Sequence, residues 1–464
     1  MLKIYNSLTK TKDFFTPQEE LLVKMYVCGV TVYDDCHIGH ARSLYVFEVI
    51  RKYLKYRGYK VQFIRNITDI DDKIINRAKE LGVDWKELAN KYIDNYYQDL
   101  KALGISKADK EPRATENVGD MIKCIERLID KEYAYVTENG VYLSVRKLKS
   151  YGKLSGQSID KMREGVRISK DETKEDPLDF ALWKKVKGGE PFWKSPWGQG
   201  RPGWHIECSV MSQKYLKTDT LDIHGGGRDL IFPHHENECA QAESLTGKVF
   251  ANYWIHHGLL TIDNQKMSKS LGNFVTIQDA VSKYSADILK IFYLQAHYSS
   301  SVDFSEKKMK EAKKAYERIQ IFMNRIGSIR EVKIAKDAEG LLKQFRDRFI
   351  EAMDDDFNMP KGLAVLFDIV STSNKILDTE ADLKAKLAGI GRLVEEILDI
   401  FGVSSKTEEA IEISVKDIKK LIKTRSEYKQ QKRYQEADDI REKLEKKGII
   451  LEDANSGTTY RIKL

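Results

Sequence analysis

The stretch Met25-Tyr26-Val27-Cys28-Gly29-Val30-Thr31-Val32, continuing through Tyr33-Asp34-Asp35 into Cys36-His37-Ile38-Gly39-His40, decides how the rest of the chain is read. Its first part is apolar and rich in β-branched residues, which predicts a buried strand. Its second part predicts a turn at His37 to His40. The periodic segment from Ala41 to Arg57 predicts a helix, and Lys60 to Ile67 a further strand. Strand, turn, helix, strand is the opening of a parallel nucleotide-binding sheet, whose ligands sit at the carboxyl ends of the strands. The turn carries chemistry of its own. A small residue between two imidazoles lets a strand-to-helix backbone approach polyphosphate, while both rings can donate hydrogen bonds to it.

Far downstream, Lys266-Met267-Ser268-Lys269-Ser270 adds two ammonium groups and two hydroxyls on a short loop, suited to following negative charge as pyrophosphate departs. Together the two strings describe an adenylyl-transfer site. Between them the pattern changes: from about Glu116 to Gly200 it predicts helical segments and Gly- and Trp-rich loops, an insertion that splits the sheet. Strand-like sequence returns at Leu221-Asp222-Ile223-His224, followed by Gly225-Gly226-Gly227-Arg228-Asp229 and a helix beginning near Pro233. From Ser305 the period is helical, with candidates at Lys307 to Ile326, Ala338 to Met353, Pro360 to Leu377 and Ala381 to Phe401. A polar linker at Ser404 to Glu409 then leads to a charged helical tail with short strands at Ile449 to Glu452 and Thr459 to Ile462.

The expected class is α/β: a split Rossmann-type parallel-sheet catalytic domain with an insertion, then an α-helical bundle and a small mixed C-terminal domain. The divisions are 1–115 and 201–250 for the two sheet halves, 116–200 for the insertion, 251–304 for the lysine-loop region, 305–402 for the bundle and 403–464 for the tail.

At 464 residues the chain exceeds one ordinary core. No run approaches the roughly twenty apolar residues of a membrane helix, and the start lacks an apolar signal core, so a cytoplasmic enzyme is expected. Cys28, Cys36, Cys124, Cys208 and Cys239 are scattered, which argues against a disulfide scaffold. The formal charge of +7 does not by itself diagnose a nucleic-acid partner.

Any metal site must be assembled from distant segments. His234 and Glu238, four apart on the predicted helix, project from one face, and Cys28 and Cys208 fall on the same expected rim of the sheet. Two thiolates, an imidazole and a carboxylate suit Zn(II) better than magnesium or calcium. A free cysteine serves equally as a small buried hydrophobe. His235, Glu236, Cys239 and Cys36, each beside or near a candidate, leave the ligand choice open.

With these strings in view the chain resembles the cysteinyl-tRNA synthetases, which are class I aminoacyl-tRNA synthetases. The resemblance spans essentially the whole chain and includes Arg65-Asn66-Ile67-Thr68-Asp69-Ile70-Asp71-Asp72-Lys73, Gly203-Trp204-His205-Ile206-Glu207-Cys208-Ser209 and Phe232-Pro233-His234-His235-Glu236-Asn237-Glu238. It implies one Zn(2+) per chain on Cys28, Cys208, His234 and Glu238, binding the substrate thiolate directly. It further implies an amino-acid pocket at Cys28, Thr68 and Trp204, and ATP contacts from His37, Gly39, His40, Gly227, Asp229, Lys266 and Lys269. His37, His40, Lys266 and Lys269 would be catalytic, with Mg(2+) on the ATP phosphates. The implied partners are L-cysteine, ATP and tRNA(Cys), with no membrane, for a monomer.

The remaining features read more plainly. His205, His224, His256 and His257 are expected as hydrogen-bonded structural residues, and Asp69, Asp71 and Asp72 as helix caps rather than magnesium ligands. Basic residues between Lys416 and Lys447, with Tyr428, Tyr434 and Tyr460 as stacking surfaces, suit RNA once the resemblance is granted. Two other readings compete: a ligase joining cysteine to a small amine, which needs no tRNA domain, and an idle RNA-binding protein with a structural zinc.

Overall fold

The computed structural model describes residues 1–158, 173–326, 339–379, 384–405, 415–446, 449–454 and 457–462. Ala338, Ala381, the linker residues Lys406 to Glu409 and Lys447 lie outside them. A hairpin of β1 (Lys3–Asn6) and β2 (Thr11–Phe14) leads to β3 (Leu22–Thr31), α1 (Ile38–Tyr56) and β4 (Lys60–Thr68). Helices α2 (Asp72–Leu81), α3 (Trp85–Ala102) and α4 (Val118–Asp130) follow. After the insertion, α5 (Trp204–Leu216), β9 (Leu221–Gly227), α6 (Glu236–Thr246) and β10 (Ala251–His257) return to the sheet.

The central sheet is parallel, in the order β10-β9-β3-β4. The chain leaves β3 on one side for β4 and comes back on the other as β9. That reversal opens a crevice between β3 and β9 at their carboxyl ends, the place where such sheets bind ligands.

Alternation along β3 divides the molecule into two cores. Val23, Met25 and Val27 pack into one shared with α1 and the helices after residue 304; Tyr26 and Cys28 pack into the other, with the insertion, α5 and α6. Between Val27 and Val30 the register with β4 shifts. Gly29 sits at this irregularity, where a Cβ would fall 1.6 Å from the Asn66 carbonyl oxygen, so no side chain fits. The shift returns Val30 and Val32 to the first core.

The insertion differs from expectation. Beside α4 it forms an antiparallel sheet of β5 (Ala134–Thr137), β6 (Gly140–Leu143), β7 (Phe180–Lys185) and β8 (Gly200–Pro202). These strands are too short to display a period of two, and every residue of β6 is buried, which erases the polar half of the pattern. The glycines at 225 to 227, which follow the strand expected at Leu221 to His224, lie inside β9. The helix expected near Pro233 starts at Glu236, preceded by one wider turn over Ile231–His235.

Residues 258–304 fold into strands Leu260–Ile262, Gln265–Lys266 and Val302–Phe304 with helices Ile277–Tyr284 and Ala286–Leu294. The helical region holds Glu306–Ile326, Glu339–Asp354, Met359–Thr379 and Lys384–Phe401, close to the expected spans, with Pro360 in a first turn. It is stapled to α1 by the Tyr45 hydroxyl on the Phe401 carbonyl and the Tyr53 hydroxyl on Asp354, both 2.7 Å. In the tail, helices Val415–Gln430 and Tyr434–Lys446 and the hairpin Ile449–Ala454 with Gly457–Ile462 enclose a small core around Ile418, Leu444 and Ile449. No described helix is long and apolar enough to cross a membrane.

Candidate active site

The turn at the end of β3 becomes a helix cap because its histidines satisfy the backbone donors that a helix start leaves free. His37 Nδ1 accepts from the amides of Gly39 at 3.0 Å and His40 at 3.3 Å, while His40 Nδ1 accepts from the His37 amide at 3.2 Å. α1 therefore begins at Ile38, with His40 in its first turn rather than before it. The two rings stack, their centroids 3.8 Å apart. Burial brings His37 down to about 4 and His40 well below its ordinary value, so both imidazoles are neutral near pH 7. With each Nδ1 accepting, each ring carries its proton on Nε2. Two N–H donors thus stand at the positive end of a helix, an arrangement suited to a polyphosphate. A Cβ on Gly39 would lie 2.8 Å from His37 Cε1, so a side chain there would push the capping ring aside.

The lysine-bearing loop docks on this cap. The Ile38 amide donates to the Val275 carbonyl at 3.2 Å and the Ile277 amide to the Cys36 carbonyl at 2.9 Å. Phe274 meets His37 edge-on at 5.4 Å, and the Met267 methyl packs beside Gly39. Lys269 forms an ion pair with Asp34 and lies 5.0 Å over the Phe274 ring. Lys266 ends the short strand Gln265–Lys266 and is exposed. Across the crevice, Gly227 closes β9 opposite His257, and Asp229 follows in the next turn. Rings crowd the glycine run: a Cβ at Gly225 would strike Phe47, and one at Gly226 would lie 2.7 Å from the His235 ring.

The second constellation lies deeper. Cys28 comes from β3, Cys208 from α5, His234 from the wide turn and Glu238 from α6; their ligand atoms all lie within 4.8 Å of one another, and all four residues are buried. Cys28 Sγ is 3.7 Å from Cys208 Sγ and 3.4 Å from Glu238 Oε1, which lies 2.9 Å from His234 Nε2. A second grouping shares two members and adds His224 and His235. His224 Nε2 meets the other Glu238 oxygen at 2.7 Å, and His235 Nε2 lies 3.3 Å from Cys28 Sγ.

Behind these rings stand further partners. His205 meets His234 at 2.9 Å, and His235 meets His256 at 2.8 Å, which in turn meets the Ser7 hydroxyl at 2.7 Å. Burial opposes charge on Glu238, yet His224 and His234 hold its carboxyl well below the usual range. Burial, followed by the neighbouring Cys208 and Glu238, pushes the Cys28 thiol up.

The structure separates the remaining sequence alternatives from this cluster. Glu236 accepts from the amides of Gly152 at 2.9 Å and Ser155 at 2.7 Å, Cys239 lines a small separate cavity with Leu8 and Leu148, and Cys36 packs in the other core. Trp204 stacks on His234 at 4.1 Å. Thr68 donates to Glu207 at 2.7 Å and accepts from Asn66 at 3.2 Å, while Asn66 also accepts from the Gly29 amide at 2.8 Å. Asn66 and Glu207 were not singled out from sequence, although each adjoins a residue that was: Asn66 shares a strand face with Thr68, and Glu207 precedes Cys208. The three acids serve the scaffold. Asp71 caps α2, Asp69 accepts from Thr115, and Asp72 pairs with Lys184 and Arg201.

Residues 14–314 match the family described as tRNA synthetases class I (C) catalytic domain, and residues 348–405 match the DALR domain. Among curated relatives, the cysteine–tRNA ligase of Thermodesulfovibrio yellowstonii is 47% identical, with all of both chains covered. That of Halalkalibacterium halodurans is 49% identical over 99% of each. That of Thermotoga maritima is 46% identical, covering 99% of this chain and all of its own. Among solved structures, Mycobacterium tuberculosis methionyl-tRNA synthetase with methionyl-adenylate superposes with a TM-score of 0.62 at 15% identity, covering 82% of this chain and 90% of its own. The Agrobacterium radiobacter agnB2 LeuRS–tRNA–LeuAMS complex superposes with a TM-score of 0.63 at 11% identity, covering 84% of each chain. At these identities the two structures speak for the fold alone.

Proposed function

The chain belongs to the cysteine–tRNA ligases, a class I tRNA synthetase family, and from that premise we propose that its two clusters divide the work: one activates a carboxylate and the other chooses cysteine. The reaction is the ATP-dependent ligation of L-cysteine to tRNA. The cysteine carboxylate attacks the α-phosphorus of ATP, the bond to the bridging oxygen breaks, and pyrophosphate leaves. A terminal ribose hydroxyl of tRNA(Cys) then takes the cysteinyl group and AMP departs.

His37 and His40 would donate their Nε2 protons to the phosphates at the α1 N-terminus, with Gly39 letting the chain come close. Lys266 and Lys269 would stabilise the charge that develops on pyrophosphate. Gly227 and Asp229 would approach the ribose. ATP enters with Mg(2+), so the ammonium groups act on a partly neutralised triphosphate. None of these groups exchanges a covalent bond; catalysis is positioning plus charge stabilisation.

The observation that carries the choice of cysteine is the convergence of two thiols, an imidazole and a carboxylate in one buried spot at the mouth of the sheet. Cys28, Cys208, His234 and Glu238 would hold one Zn(2+), since soft sulfur donors with a nitrogen and an oxygen suit it, and His224 and His205 supply the outer partners that fix such ligands. When bound, zinc supplies a soft Lewis acid that takes a thiolate far better than a hydroxyl or a methyl. Apolar contacts alone separate such near-isosteres by only about a hundredfold. Trp204 would close the pocket beside His234, and the Asn66–Thr68–Glu207 chain would fix the Thr68 hydroxyl toward the amino acid. Segment 305–402 and the tail 403–464 would carry the tRNA.

The test is cysteine- and serine-dependent exchange of pyrophosphate into ATP, with zinc and after chelation, followed by charging of tRNA(Cys). Exchange with cysteine alone, lost on chelation, together with charging, is expected. Equal exchange with serine, or cysteine exchange indifferent to zinc, would remove the zinc reading; exchange without charging would point to a small-amine acceptor.

A further inference from the structure

Asp34 is not among the residues to which the two signature strings draw attention, yet it sits between them. One of its carboxylate oxygens, Oδ1, accepts from the Asp35 amide at 3.0 Å, which fixes the side chain to its own turn. The other, Oδ2, forms the ion pair with Lys269. The carboxylate is largely sheltered, its side chain 15% exposed against 54% for Lys269, so the pair joins a sheltered anion to an exposed cation. The ammonium lies over Phe274, Phe274 lies edge-on to His37, and His37 stacks on His40. Asp34 thereby holds the ammonium in the same layer of groups that faces the helix N-terminus.

We propose that Asp34 is a positioning residue for Lys269: it holds the ammonium beside the phosphate site before ATP arrives and keeps it there until pyrophosphate leaves. This rests on the reading of Lys269 as a phosphate-facing group. The physical reason is preorganisation. A lysine on an otherwise exposed loop loses rotamer freedom when it is recruited, and a carboxylate that has already localised it lowers that cost. The triphosphate then meets an ammonium that stays paired with Asp34, since its three N–H donors can serve the carboxylate and a phosphate oxygen together. No covalent bond is made or broken. Asp34 also lends negative potential to the neighbouring Tyr33, His37, Arg77 and Tyr92, so a substitution is compared with its own charge-conserving variant.

The test uses the full-length zinc-loaded enzyme and steady-state pyrophosphate exchange with saturating cysteine. Asp34→Asn should raise the KM for ATP about fivefold, the size expected of a part-exposed charge pair, with kcat changed less than about twofold. Asp34→Glu should recover most of the loss. In a Lys269→Ala background, Asp34→Asn should add nothing, because the partner it positions is gone. Limited trypsin digestion without ATP should cut after Lys266 and Lys269 faster in Asp34→Asn, with the difference erased by saturating ATP. Additive losses in the double variant, an unchanged KM, or a lowered KM, the mark of a carboxylate that merely competes with phosphate, would each overturn the proposal. If Lys269→Ala itself left exchange unchanged, the underlying role of Lys269 would fall instead.

Discussion

The cluster around Cys28 and the one around His37 and Lys269 lie on the same crevice and are built on opposite principles. In the first, every candidate ligand is buried and most are braced by another ring or carboxyl: His224 on Glu238, His205 on His234, His256 on His235. In the second, a fixed half, the capping histidines, faces a loop whose two lysines are exposed, with Lys269 held by the Asp34 carboxylate. The difference suits the tasks proposed for them. Telling sulfur from oxygen needs donors that do not move; following charge from a triphosphate to a departing pyrophosphate needs donors that do.

Substitutions act on the two clusters separately. The largest effect belongs to Cys28→Ser, which should lower zinc content and reduce cysteine-dependent exchange by more than about a hundredfold, since loss of an outer partner alone costs about ten- to a hundredfold; metal analysis and exchange kinetics check it. His40→Ala removes one Nε2 donor and should slow adenylate formation about a hundredfold in single turnover, while cysteine affinity stays within about twofold. His224→Gln keeps a donor but loosens Glu238, and should weaken zinc about tenfold in a chelator competition. The smallest effect concerns acid. His37 and His257 are held at about 4 by burial, below the ordinary 6.5, so the unfolded chain takes up more protons between those values. Their contribution to stability is complete above about pH 6.5 and is lost as the pH falls toward 4. Thermal melts should therefore drop through that window in the wild type, and less steeply in His257→Gln.

Much of this arrangement was legible in the sequence. β3, α1 and β4 declare themselves by an apolar run, a helical period and a second apolar run, and α1 starts early only because His37 acts as its own cap. The helices after Ser305 fall where their period put them. The insertion was misread because strands as short and as buried as β6 carry no alternation. The run at 225 to 227 falls outside the expected strand because glycine ordinarily marks a turn; here it makes room inside a strand for Phe47 and His235. Spacing alone left Glu236 and Glu238 as rivals, since nothing local says that Glu236 would turn to the amides of Gly152 and Ser155. Asp34 was missed for a similar reason: its partner lies far along the chain, and an isolated aspartate in a turn looks like punctuation.

On the proposed reading, choice of cysteine and use of ATP reside in separate groups, and this separation can be measured. Its most direct test is equilibrium binding of L-cysteine and of ATP, measured separately by calorimetry on Cys208→Ser and on the wild type. Loss of cysteine binding with the ATP dissociation constant within about twofold is the predicted result. Equal weakening of both ligands, or cysteine binding that survives the substitution, would contradict the account.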